Sequence, residues 1–159
     1  MQTKPFAERI HRIMRRVPRW ILTAVCLGVI LYLTLVPDPL GDEDLPWFPG
    51  ADKLVHGIMF FGLTLCMLVD AMRSRGWRRL SLPVISLISI IGMSAGIGIE
   101  YLQDAMGLGR GKEFGDMVAD AFGAIVAGVL WIFVGESVEL TEEEHHQTDL
   151  RGSSEIKEK

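Results

Sequence analysis

Hydrophobic residues along the chain are gathered into four long runs that are separated by polar stretches. The runs cover residues 20–36, 54–72, 80–103 and 116–134. Mostly apolar segments of about 17 to 25 residues are typical of helices that cross a bilayer. The pattern therefore predicts an all-α, polytopic membrane protein with four transmembrane helices.

Positive charges indicate how these helices are oriented. Six of the first 19 residues are Lys or Arg, and Arg73, Arg75, Arg78 and Arg79 surround the connection between the second and third runs. Cytoplasmic segments are enriched in Lys and Arg, so both of these regions are predicted to be cytoplasmic. With four spans, the N- and C-termini are then both predicted to be cytoplasmic.

These features divide the chain into three parts. Residues 1–19 form a basic cytoplasmic segment whose apolar stripe would suit an interfacial helix. Residues 20–134 form the transmembrane domain. Residues 135–159 form an acidic tail, which its composition predicts to be disordered in the cytoplasm. Within the domain, small residues repeat at four-residue spacing and predict close helix contacts: Gly92 with Gly96, Ser94 with Gly98, and Ala119 with Gly123 and Ala127.

Composition excludes several function classes. The net charge is −4, and the sequence has no basic face with interleaved aromatic residues. Nucleic acid is therefore not an expected partner. Cys26 and Cys66 each lie inside an apolar run, where Cys usually acts as a small hydrophobic residue. No phosphate-binding glycine loop, nucleophile elbow or His-Glu-x-x-His zinc motif is found, so the sequence predicts no cofactor. Membrane lipids are the expected partners.

Polar residues cluster at the predicted outer ends of three runs. Asp52 and His56 are four residues apart, Glu100 and Gln103 three apart, and Asp116 and Asp120 four apart, so each pair shares one helix face. An acid at the centre of a membrane helix costs about 2.5–3.5 kcal/mol, so these acids are expected to have partners. The predicted ligand-binding or polar-network site comprises Asp52, Lys53, His56, Glu100, Gln103, Arg110, Asp116 and Asp120.

Three interpretations of this site remain open on the residues alone. It could be a self-neutralising network that holds the helix ends together. It could be a metal site, because imidazole and carboxylate groups suit Zn²⁺, Mg²⁺ or Mn²⁺. It could also be a cradle in which Arg110 and Lys112 engage phosphate or carboxylate. In the metal interpretation the ligands would be His56, Glu100, Asp116 and Asp120.

The same residues resemble the pattern of the VanZ-like family of bacterial membrane proteins. The family has Asp-Lys-x-x-His opening the second helix, matched by Asp52, Lys53 and His56. Glu-x-x-Gln ends the third helix, matched by Glu100 and Gln103, and an Arg with an Asp six residues later is matched by Arg110 and Asp116. The last family element is Asn followed by Gly three residues on. Gly123 matches that Gly, whereas Asp120 stands in place of the Asn and adds a negative charge.

The resemblance covers roughly residues 20–134 and implies a multi-pass protein of the bacterial inner (plasma) membrane. The founding member of the family is associated with resistance to the glycopeptide teicoplanin. The function expected from the resemblance is a cell-envelope protein that binds a lipid-linked or cell-wall-related ligand. Arg110 and Lys53 would meet the acidic groups of that ligand, while His56, Glu100 and Gln103 shape the pocket.

Two other functions fit the same residues. One is a metal-dependent membrane hydrolase or transferase that acts on a lipid-linked substrate. The other is a structural or assembly module of the membrane. The sequence assigns no residue a catalytic role and leaves open whether the protein is an enzyme.

Overall fold

The computed structural model describes residues 18–36, 50–107 and 112–134. These residues contain four helices and no strand, which confirms the all-helical prediction. Most of the basic N-terminal segment, the acidic tail and Arg110 lie outside the described residues. The helices are α1 (Ile21–Leu35), α2 (Ala51–Ser74), α3 (Leu82–Met106) and α4 (Phe114–Val134).

Three of the four helices are long and apolar enough to cross a membrane. They are α2, α3 and α4, with 24, 25 and 21 residues. At about 1.5 Å per residue they extend roughly 32–38 Å, against a hydrocarbon core of about 30 Å. Helix α1 is also apolar but has 15 residues, or roughly 22 Å. The lengths therefore support a membrane protein and single out α1 as the short member.

The helix surfaces also have the character of a membrane protein. Large apolar side chains face outward on α2, α3 and α4, among them Ile58, Leu87 and Phe122, and the last of these is 67% exposed. In water such surfaces would be an aggregation hazard, whereas lipid is a suitable solvent for them. Several polar residues are buried instead: Thr34, Thr64, Asp70, Glu100, Gln103 and Asp120.

The helix boundaries decide where the charged residues lie. Helix α2 starts at Ala51 after Gly50, whose φ of 86° is readily adopted by glycine. The helix therefore begins three residues before the second apolar run, whose predicted start is residue 54. Asp52 and Lys53 thus lie in the first helical turn. Helix α3 has Pro83 in its first turn and is followed by Gly107, which adopts the left-handed conformation.

Contacts between helices show that their two ends differ. Gln103 near the end of α3 bonds to Thr34 near the end of α1, and His56 near the start of α2 contacts Asp120 near the start of α4. We call this the acidic end. At the opposite end, which we call the arginine end, Thr23 near the start of α1 bonds to Asp70 near the end of α2, and Asp70 also bonds to Arg73. Neighbouring helices in the chain therefore run antiparallel.

Small residues allow α4 to approach α2 and α3 closely. A Cβ atom added at Gly123 would collide with the backbone of Gly57 and Phe61 in α2. One added at Gly96 in α3 would lie 2.6 Å from the Cβ of Asp120. Gly98, by contrast, is exposed and has no heavy atom within 4 Å of an added Cβ, so it takes no part in these described contacts. The predicted close contacts thus hold for Gly96 and Gly123 but not for Gly98.

A buried acid joins α1 to α2 at the arginine end. One oxygen of Asp70 accepts hydrogen bonds from the Thr23 amide and hydroxyl, both at 3.0 Å. Its other oxygen accepts one from Arg73 at 2.7 Å. Asp70 therefore pairs with an arginine of its own helix and also links α2 to α1.

We predict that Gly123→Ala lowers the melting temperature in detergent, while Gly98→Ala leaves it unchanged or raises it. The new methyl group at position 123 meets backbone atoms that cannot rotate away, and such overpacking costs about 1–3 kcal/mol. The methyl group at position 98 enters open space and improves helix propensity. Equal melting temperatures for the two variants would contradict the α2–α4 contact.

Candidate functional site

Three helices bring an imidazole and two carboxylates together at the acidic end. His56 Nδ1 lies 3.1 Å from Asp120 Oδ1 and 3.7 Å from Glu100 Oε1. The side chains of Glu100 and Asp120 are only 1% and 0% exposed, and that of His56 is 13% exposed. Residues that are 44 and 64 positions from His56 in sequence are thus its neighbours in space.

The small residues next to these side chains explain their proximity. Gly96 lies one turn before Glu100 on α3, and the side chain of Asp120 lies against it. Gly123 follows Asp120 by three residues and contacts the backbone of Gly57, the residue after His56. The short aspartate side chain can reach the imidazole because the backbones approach so closely at these glycines.

Several carboxylate oxygens of this group have no hydrogen-bond partner among the described residues. They are Glu100 Oε1, Asp116 Oδ1 and Asp120 Oδ2. Leaving a buried polar group unpaired costs about 1–3 kcal/mol, and more when the group is charged. A structure that only had to hold the helices together would gain nothing from these oxygens.

Lys53 lies in a second, more exposed group of acids at the same end. Its Nζ lies 2.6 Å from Glu113 Oε1, 3.0 Å from Asp52 Oδ2 and 3.6 Å from Asp116 Oδ1. The side chains of Lys53, Asp52 and Glu113 are 38%, 54% and 53% exposed, and exposed pairs contribute little stability. The lysine charge is therefore already compensated by carboxylates of the protein.

Glu113 is a member of the site that the predicted set lacks. Its backbone N–H donates to Glu100 Oε2 at 3.1 Å, and its carboxylate is the closest partner of Lys53. Glu113 directly precedes the first residue of α4. An acid at a helix N-terminus is a recognisable sequence signal, because the N-terminal end of a helix favours negative charge.

Gln103 and Lys112 have other partners. Gln103 donates its amide to the Thr34 carbonyl at 2.8 Å, so it links α3 to α1. The Nζ atom of Lys112 lies 4.5 Å from the centroid of the Tyr101 ring. Arg110 is outside the described residues.

Two sets of donors at this end have the spacing of a metal site. One nitrogen of His56 and one oxygen each of Glu100 and Asp116 lie within 4.8 Å of one another. Asp52, Glu113 and Asp116 form the other set, and Asp116 is common to both. Asp120, a predicted ligand, belongs to neither set and instead contacts His56. The arrangement is suited to holding a cation.

Comparison with known proteins adds no assignment. No protein-family model matches the chain, and neither the curated proteins nor the solved structures contain a match to it.

We predict that Glu100→Gln keeps or raises the melting temperature of the metal-free protein. The amide oxygen can still accept from the Glu113 N–H, while the substitution removes a buried carboxylate oxygen that has no hydrogen bond. Thermal unfolding in detergent with a chelator present is the measurement. A clear loss of stability, of about 2 kcal/mol or more, would instead show that Glu100 acts as a structural ion-pair partner of His56.

Proposed function

We propose that this chain is a VanZ-like protein of the bacterial inner membrane that binds a lipid-linked or cell-wall-related ligand at its acidic end. In this proposal all four helices cross the membrane, both termini are cytoplasmic, and the acidic end faces outward. The observation that carries the binding proposal is the convergence of His56, Glu100 and Asp120 from three helices with carboxylate oxygens left unpartnered.

The contacts of α1 support the four-span topology. Near its start Thr23 bonds to Asp70 at the arginine end, and near its end Thr34 accepts from Gln103 at the acidic end. Helix α1 thus runs along the bundle from one end to the other, although it has only 15 residues. Arg75, Arg78 and Arg79 lie near the arginine end of the bundle. They favour a cytoplasmic location for that end.

The burial of polar residues supports a ligand-binding site at the acidic end rather than a purely structural network. Polar groups within a membrane protein are costly and usually mark a functional position. Glu100 and Asp120 both contact His56, and residues close to them in sequence, Ile97 and Phe122, have exposed apolar side chains that suit lipid. A ligand that approaches along the membrane would reach the site from the outer leaflet.

The contacts of Lys53 change the role that it has in the proposal. Since Lys53 already interacts with Asp52, Glu113 and Asp116, it is poorly placed to take the acidic groups of a ligand. We therefore assign that role to Arg110, on the strength of the motif in which Arg precedes Asp116 by six residues. A guanidinium group is well suited to phosphate and carboxylate.

We predict saturable binding of a fluorescent undecaprenyl diphosphate to the full-length chain in lipid nanodiscs. Arg110→Gln should weaken this binding by about tenfold or more, because a hydrogen bond to a charged group contributes about 1.5–3 kcal/mol. Arg78→Gln is the matched control, since it removes the same charge from the opposite end. Fluorescence titrations are done with Mg²⁺ and, separately, with a chelator.

Two results would overturn the proposal. The first is an absence of saturable binding by the native chain. The second is equal weakening by Arg110→Gln and Arg78→Gln, which would indicate a general effect of charge on the lipid surface.

A further inference from the structure

We propose that His56, Glu100 and Asp116 bind one divalent metal ion, Zn²⁺ or Mn²⁺, at the acidic end. The ion would be the contact between the protein and the phosphate groups of a ligand. That second statement rests on the proposed function, whereas the metal site itself rests on the geometry of the three side chains.

The spacing of the donor atoms is close to that of a bound ion. Donor atoms at about 2.0–2.2 Å from a tetrahedral Zn²⁺ lie about 3.3–3.6 Å from one another. The three donors here lie within 4.8 Å of one another, so side-chain rotations that bring them together by about 1–1.5 Å close them around an ion. One imidazole nitrogen with two carboxylate oxygens favours Zn²⁺ or Mn²⁺, because the imidazole distinguishes it from an all-oxygen calcium site.

The unpartnered oxygens are an independent indication of a cation-binding site. Glu100 is 99% buried in its side chain, yet its Oε1 has no hydrogen-bond partner and points to the His56 ring at 3.7 Å. Asp116 Oδ1 has none either, although Lys53 lies 3.6 Å away. A divalent ion would satisfy both oxygens at once. No internal hydrogen bond among the described residues does so.

Asp120 is a positioning residue for the imidazole when the ion binds His56 through Nε2. Its Oδ1 lies 3.1 Å from His56 Nδ1, and a metal-binding histidine commonly donates its other ring N–H to a carboxylate, which fixes the orientation of the ring. Asn is usual at this position in the family that the motif resembles, and its amide oxygen could accept the same bond. The aspartate of this chain adds a negative charge beside the ion.

The neighbouring set of acids explains why only one ion is proposed. Asp52, Glu113 and Asp116 also have metal-like spacing, but the ammonium group of Lys53 lies among all three. A cation supplied by the protein already compensates this set. The side chains of Asp52 and Glu113 are also half exposed, which lets water and salt screen their charges.

The test is metal binding by the full-length chain, purified without a histidine tag. His145→Gln and His146→Gln are present in every sample, so that the tail histidines do not contribute. After removal of metal by a chelator, Mn²⁺ or Zn²⁺ is titrated, and bound metal per chain is measured by elemental analysis after dialysis. We expect one ion per chain, with affinity at least about tenfold weaker in both Glu100→Gln and His56→Gln.

Asp104→Asn is the matched control, because Asp104 is an exposed acid on the same helix as Glu100. It should bind metal as the native chain does. Absence of saturable binding by the native chain would overturn the inference. So would equal affinity in the native chain and in Glu100→Gln, or a loss caused by Glu113→Gln alone, which would move the ion to the exposed set.

The two proposals fail in different ways. Metal binding is measured without any lipid ligand, so a bound ion together with no binding of undecaprenyl diphosphate refutes the proposed function only. Binding of undecaprenyl diphosphate that persists in a chelator, with no metal bound to the chain, refutes the metal site only.

Discussion

The structure depends on the backbone contact between α2 and α4 at Gly57 and Gly123. No side chain separates the helices there, so α4 lies unusually close to α2. In lipid, where apolar burial gives little drive for helix association, such close packing is a principal source of stability. The same contact fixes the relative height of His56 and Asp120, which lie one residue and three residues away from it in sequence. Packing and site are therefore consequences of one constraint.

Buried carboxylates at the two ends of the bundle differ in their hydrogen bonding. At the arginine end both oxygens of Asp70 are bonded, one to Thr23 and the other to Arg73. At the acidic end Glu100 and Asp120 are just as deeply buried, but each keeps an oxygen with no hydrogen bond among the described residues. The same fold can thus satisfy a buried carboxylate fully. This contrast is the physical reason for treating Asp70 as structural and the acidic end as a binding site.

The sequence predicted the helices and the end at which the polar residues meet, because apolar length and the positions of charges determine both. It also identified His56, Glu100, Asp116 and Asp120, whose spacing places them on helix faces near the same end. It did not reveal their partners. Whether Gln103 faces the site or α1 depends on the rotation of α3 about its axis, which periodicity leaves undetermined within a turn. In the same way, the sequence alone places Glu113 in a polar turn without a defined role. Its position directly before the first residue of α4 is evident only from the structure. The four-residue spacing of Ser94 and Gly98 resembles that of Gly92 and Gly96, yet only the second pair is buried.

The contact between His56 on α2 and Asp120 on α4 can be tested by a double-mutant cycle. Free energies of unfolding in detergent are measured for the native chain, His56→Gln, Asp120→Ala and the double variant. The contact at 3.1 Å predicts a coupling energy of at least about 0.5 kcal/mol, as found for neighbouring residues. Additive effects, within about 0.3 kcal/mol, would show that the two side chains do not interact and would contradict the account of the site.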